Sequence, residues 1–276
     1  MSLTIESLSN ELIQDYIYSE LSDTVLAHCE LANRLLQDNA NAVWKRRESD
    51  GIFGKREWAM QGYEIEGEVE PIPEKMKEAL EAPCPIYPDK KGKETWKVVY
   101  KPKTINGQPT TINYFGTLLG AKLNPPQPTG YSFIWDEIQQ QLGDVPVEKG
   151  EWLMILTYGD GLVPESRGKS FSEQQALVKA INEKGQGECQ VLHLIDAMTG
   201  IFAIFVKSKS QKRLYGDKPL TLPRCQEKIE NYQLVVGGFA PGGLVVNDDF
   251  DLDHGVGVQR KFRPLGLGNL GLGNGH

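Results

Sequence analysis

Two cysteine–histidine pairings and one acidic run hold the residue types with which this chain could do chemistry. A thiol nucleophile needs an imidazole within hydrogen-bond reach and a polar group to orient it. Cys29, Cys84, Cys189 and Cys225 are spread without CxxC spacing, and the pairings on offer are Cys225 or Cys189 with His254 or His193. Cys189 and His193 stand four residues apart, so one helical face would juxtapose them if residues 188–198 are helical. Arg224 precedes Cys225, and its charge would lower the thiol pKa if the two met in space. No local signature of a cysteine hydrolase surrounds either residue. A thiol-dependent hydrolase or transferase therefore stands as the alternative to buried, structural thiols.

Residues 248–254 crowd carboxylates beside an imidazole, and Asp249, Asp251, Asp253 and His254 would be the ligands of a divalent cation. The run lacks the glycine and terminal glutamate of a calcium loop, so a solvated acidic loop is expected, with no metal and no cofactor. Gly237-Gly238 and Gly242-Gly243 offer backbone N–H groups to a phosphate. The string GGFAPGG matches neither a dinucleotide fingerprint nor a Walker loop, and a tight turn between two strands is the expectation. Ser166, Arg167 and Lys169 suggest an anion site, against which stands an arginine serving loop carbonyls or Glu165.

The elements that must carry these residues change character along the chain. In residues 8–44, Leu8, Leu12, Ile13, Ile17 and Leu21 recur at three- and four-residue steps and line one face of a helix. Ser22-Asp23 can cap a second helix with Val25, Leu26 and Leu31. Leu35 and Leu36 form a third apolar set, and Trp44 closes the segment. An N-terminal helical hairpin packing on its own later half would show the same face.

Leu8, Glu11-Leu12, Leu21 and Trp44 fall at a spacing that resembles the F-box, the helical module that docks a Skp1-type adaptor of a cullin ubiquitin ligase. Ser9 stands where that family has proline, which removes a preset φ but not the apolar face. Leu35 or Leu36 stands near the usual tryptophan of the third helix. The resemblance implies that Leu8, Leu12, Ile13, Ile17, Leu21, Leu26 and Trp44 divide between a partner groove and the module's small core.

Beyond an acidic stretch at 64–70 and Pro71-Ile72-Pro73, a short helix without a strong apolar face is expected at 74–81, then an extended proline-rich tract at 83–88. Trp96, Val98 and Tyr100 alternate with Lys97, Val99 and Lys101 as in a half-buried strand. Asn106-Gly107 marks a hairpin turn, with 110–114 as the returning strand. Residues 124–129 read as a loop, 133–138 as a helical or irregular patch, and 152–157 as a buried central strand. The spacing predicts a helix over 170–181, capped by Ser170 or Ser172 with Glu173 in its first turn. Ala176, Leu177, Ala180 and Ile181 would be its buried stripe, and Gly185 its end. Residues 191–198 fit helix or strand; 201–206 form a hydrophobic, β-rich run; 232–239 and 243–246 read as strands about a turn. The mixture predicts an α+β fold, a small N-terminal helical (F-box-like) module followed by a mostly antiparallel sheet domain with interspersed helices. Residues 1–62 form the module, 63–83 a linker, 84–262 the α+β domain, and 263–276 a flexible Gly/Leu-rich tail.

The strings TINGQPTTINYFG (104–116), SRGKSFSEQQALV (166–178), RCQE (224–227) and VVGGFAPGGLVV (235–246) resemble a domain of unassigned function in F-box-like proteins of obligate intracellular bacteria. That resemblance implies action inside a host cell, as an effector delivered to its cytosol.

A formal net charge of −7 argues against general affinity for phosphate backbones, so no nucleic acid is expected. No apolar run reaches the length of a membrane span, and the N-terminus has no basic n-region. A cytoplasmic protein interacting with a Skp1-like adaptor and an unknown protein target is the reading these residues support.

Overall fold

Strand β6 (Glu151–Leu156) lies in the middle of a five-stranded sheet because its apolar side chains can be covered on both faces. The computed structural model describes residues 51–184, 188–249 and 254–261, which belong to the compact unit 51–276; residues 1–50 form the other unit. The larger sheet runs β1 (Ile52–Phe53), β2 (Trp96–Lys101), β6, β11 (Val258–Lys261), β7 (Glu188–Val191). Only β1–β2 is parallel; the other three pairings are antiparallel. The second sheet runs β5 (Tyr131–Ile134), β10 (Gly243–Asp248), β9 (Tyr232–Ala240), β8 (Arg224–Ile229), parallel only between β5 and β10. A two-residue ladder pairs β3 (Thr104–Ile105) with β4 (Gln108–Pro109). The unit is thus α+β with mostly antiparallel sheets.

Seven helices are described: α1 (Lys55–Met60), α2 (Glu74–Glu81), α3 (Gly92–Thr95), α4 (Ile112–Gly120), α5 (Asp136–Leu142), α6 (Phe171–Lys184) and α7 (Leu194–Lys207). Side-chain alternation sorts the larger sheet into two faces. Val99, Leu153 and Ile155 join the cluster around α7 with Ile201 and Phe202, whereas Trp96, Val98, Met154 and Leu156 join Met76 and Leu80 of α2 and Val178 of α6. Both faces of β2 are therefore covered, and the half-buried strand expected at 96–101 is buried along almost its whole length.

Three local expectations change. Residues 201–206 are helix, the second half of α7, because a continuous apolar run has no period that separates a buried strand from a helix buried all round. The strand expected at 110–114 is the start of α4. Thr111 is extended and its hydroxyl oxygen accepts the Tyr114 N–H at 3.1 Å, so the chain turns helical there. The returning arm of the hairpin is only Gln108–Pro109, although the turn itself, with φ of 51° at Asn106 and 74° at Gly107, is the one the Asn-Gly pair implies. The stripe of α6 is Gln174 and Val178, flanked by half-buried Phe171, Leu177 and Ile181, while Ala176 is exposed. Gly185 lies outside the described residues.

The expected linker at 63–83 instead contributes to both clusters. Tyr63 and Ile65 pack around α7, and Met76, Ala79 and Leu80 give α2 the apolar face not expected of it. Upstream, Trp58 is fully buried, stacks on Phe202 at 5.3 Å between ring centroids, and donates its indole N–H to the Tyr100 carbonyl at 2.9 Å. Residues 51–62 thus belong structurally with the α+β unit.

Candidate functional site

On the α7 face of the larger sheet, charge is buried and paired. Lys101 ends β2 with its side chain turned inward, 7 % exposed, and its ammonium meets Asp196 in the first turn of α7 and Glu151 at 2.7 Å. Burial works against the Lys101 charge, yet Asp196 and Glu151 together outweigh it and hold the pKa above its ordinary value. The second Asp196 oxygen accepts from the Gln259 amide of β11 at 2.7 Å. One helix turn, two strands and a loop-to-strand boundary converge on this network.

Next to it, Glu227 of β8 caps α7. One carboxylate oxygen accepts the Leu194 N–H at 2.9 Å, and the other lies 3.0 Å from His193 Nδ1. The carboxylate orients the imidazole, an arrangement suited to proton transfer where a reacting group is brought to it. Lys101, Glu151 and Glu227, with Glu148 and Lys149, line a cleft of about 330 Å³ whose apolar wall includes Ile112, Leu142, Val147 and Leu194.

Neither candidate thiol serves this cleft as a nucleophile. Cys225 is fully buried on β8, and desolvation first, then Glu227 and Asp196, push its pKa well up. Arg224 does not lower it. Adjacent strand residues point to opposite faces, and the Arg224 guanidinium is turned to Asp249. Cys189 lies on the other face of the larger sheet, where burial raises its pKa to about 12, with Arg260 pulling down and Cys84 up. Residues 188–191 are strand and His193 precedes α7, so no helical face joins Cys189 to His193.

The remaining candidates are explained by structure. Asp249 takes the Arg224 guanidinium through both oxygens, and Arg224 also donates to the carbonyls of Lys169 at 2.7 Å and His254 at 3.1 Å. His254 is buried, its Nε2 3.7 Å from Asp249. Asp251 and Asp253 lie outside the described residues, as do Leu8, Leu12, Ile13, Ile17, Leu21, Leu26 and Trp44. Among the described residues no cluster of three metal-ligating side chains occurs. Arg167 binds Asp160 at 3.1 Å, Thr221 and the Leu220 carbonyl, not Glu165, and the Ser166 hydroxyl accepts the Val256 N–H. Pro241 and Gly242 form the turn between β9 and β10, as expected. Gly237 lies within β9 at φ 149°, where an added Cβ would stand 2.1 Å from the Thr221 carbonyl oxygen.

Lys101, Glu151, Asp196, Glu227 and Gln259 were not legible as a site. The one available signal was Asp196, a lone acid inside the otherwise apolar segment LIDAMTGIFAIFV. No protein-family model matches the chain, and no curated protein or solved structure shows significant similarity to it. Among the described residues no helix is long and apolar enough to cross a membrane.

Proposed function

We propose that this protein is an interaction adaptor: residues 8–44 dock a Skp1-type subunit of a ubiquitin ligase, and the α+β unit binds the protein target. The observation that carries the reading is the spacing of Leu8, Glu11-Leu12, Leu21 and Trp44, which matches a helix-in-groove anchor of apolar side chains. The strings at 104–116, 166–178, 224–227 and 235–246 add a host-cell cytosol as its place of action. Support also comes from the other side: the thiols needed for the enzymatic alternative sit buried with raised pKa values, and a thiolate is the reactive form.

The test uses the full chain and a purified Skp1-type adaptor, with complex formation followed by size-exclusion chromatography and calorimetry. A 1:1 complex is expected for the wild type. Leu12→Asp with Leu21→Asp places two charges on the docking face and is expected to weaken binding by more than about 100-fold, with thermal unfolding of the α+β unit unchanged. A wild-type chain that forms no complex at micromolar concentrations overturns the reading.

A further inference from the structure

The cleft beside the N-terminus of α7 has a composition that selects its ligand. Its volume, about 330 Å³, lies in the range of small-ligand sites. One wall is aliphatic, built by Ile112, Leu142, Val147 and Leu194. The polar part holds Glu148, Glu151 and Glu227 with Lys101 and Lys149, and Asp196 stands behind Lys101. Four carboxylates therefore face two ammoniums. Lys101, more than nine-tenths buried, has its charge cancelled in place by Asp196 and Glu151, which leaves the cleft electronegative.

Such a ion-pair network is costly to bury, and an apolar substitute of the same volume would serve stability as well or better. Its position at a cavity, not in a sealed core, gives it another use. An anion would meet the field of Glu148, Glu151 and Glu227, whereas a neutral apolar ligand would strip water from those carboxylates beyond what Lys101, His193 and the Leu194 N–H already offset. A cation on an aliphatic stem satisfies both halves of the lining.

We propose that this cleft binds an alkylguanidinium or alkylammonium group, its stem along Ile112, Leu142 and Leu194 and its charged head on Glu151, Glu227 and Glu148. The guanidinium is the preferred head, because it is more weakly hydrated than an ammonium and its planar donors match carboxylates. Glu227 and Glu151 have side chains 27 % and 43 % exposed, so their attraction is screened less than that of a fully solvated pair and still depends on salt. The chemistry is shared by an arginine or lysine side chain of a protein and by a free alkyl amine. The inference concerns the α+β unit and stands or falls independently of residues 8–44.

Calorimetry on the full chain separates the outcomes, with acetyl-Ala-Arg-Ala-amide, acetyl-Ala-Lys-Ala-amide and agmatine as probes and acetyl-Ala-norleucine-Ala-amide as the neutral control. Binding of the arginine peptide is expected, weaker binding of the lysine peptide, and at least tenfold weaker binding of the norleucine peptide. Glu148→Gln and Glu151→Gln, both on the accessible side of the cleft, are each expected to lower the affinity about three- to tenfold, equivalent to a lost partly screened ion pair. An unchanged melting curve for Glu148→Gln excludes misfolding as the cause, whereas Glu151→Gln is also expected to melt lower because it loosens the Lys101 pair, and Lys149→Gln is expected to strengthen binding slightly. If the peptides bind and agmatine does not, the ligand is a protein side chain; the reverse pattern marks a free amine. Equal binding of the norleucine peptide, binding unaffected by the two Gln substitutions, or no heat from either cation at 10 mM (about the weakest affinity worth a site,) overturns the proposal.

Discussion

The two faces of the five-stranded sheet bury charge in opposite ways. Toward α7, Lys101 and Asp196 meet as opposite charges with Gln259 and Glu151 completing the network, and the network opens on a cleft. Toward α2 and α6, Arg260 and Cys189 sit with Cys84 among Trp96, Val98, Met154 and Val258. Burial there pulls the Arg260 pKa down, with the thiols Cys189 and Cys84 acting against it. One face holds a buried ion-pair network beside a cavity; on the other, Arg260 lies among apolar side chains and thiols that behave as small hydrophobes. The sheet thus separates a face that opens on a cleft from one packed under α2 and α6.

The largest effect is expected where that compensation is broken. Asp196→Ala leaves Lys101 and Gln259 without their buried acceptor and should cost about 3–5 kcal/mol, read as a shift of the denaturant midpoint at constant slope. Lys101→Met combined with Asp196→Leu should recover most of the loss, since removing both partners leaves no orphaned charge. A single substitution costing under about 1 kcal/mol would mean that Glu151 alone satisfies the ammonium.

On the opposite face the cost should come from packing. Met154 is fully buried, with Val98 and Arg260 as its cross-strand neighbours, and Met154→Ala is expected to lose about 2–4 kcal/mol through transfer and cavity terms. Filling the cavity with another apolar side chain, as in Met154→Leu, should restore most of the loss.

The sequence disclosed these two faces unequally. WLMILT announced a central strand because an apolar run of that length needs cover on both sides. The Asn106-Gly107 turn, α6 and the β9–β10 hairpin were readable from local chemistry. Alternation placed Lys101 on a solvent face, since period two reports which residues share a side and not whether that side is covered. The 201–206 run failed for a different reason: with no polar residue between Gly200 and Lys207, nothing in it marks a period. Cys189 and His193 looked adjacent only under a helical assumption. The Lys101–Asp196–Gln259 contact joins residues 95 and 63 positions apart, so no local pattern encodes it.

The buried thiol gives the comparison a pH dependence. Cys189 has its pKa raised from 9.0 to about 12, so between those values the unfolded chain loses a proton that the folded chain keeps. The native state then binds more protons than the unfolded one, and stability falls as pH rises. The contribution is intact below pH 9 and should decline by about 1.4 kcal/mol per pH unit above it. Cys225, raised in the same direction, adds to the slope. Urea titrations of wild type and Cys189→Ala at pH 8 and pH 10.5 should show a flatter decline in the variant; parallel declines would mean that the thiol titrates equally in both states.

The smallest effect belongs to the helices that cover the two faces, and it tests whether they are held differently. The α7 terminus is capped from another element, Glu227 of β8, whereas α6 carries its own box: Glu173 accepts from the Ser170 backbone at 2.7 Å and from its hydroxyl, and the Glu173 N–H donates to that hydroxyl at 3.4 Å. Those bonds from Ser170 hold the exposed Glu173 carboxyl below its ordinary pKa. Ser170→Ala should therefore cost only about 0.5–1 kcal/mol, because the lost cap is local and water can replace it. Its signature is spatial: amide exchange should quicken in the first turn of α6 and stay unchanged at Leu194. Exchange that quickened at both helices would show the two faces to be one cooperative block, and the division between them would not hold.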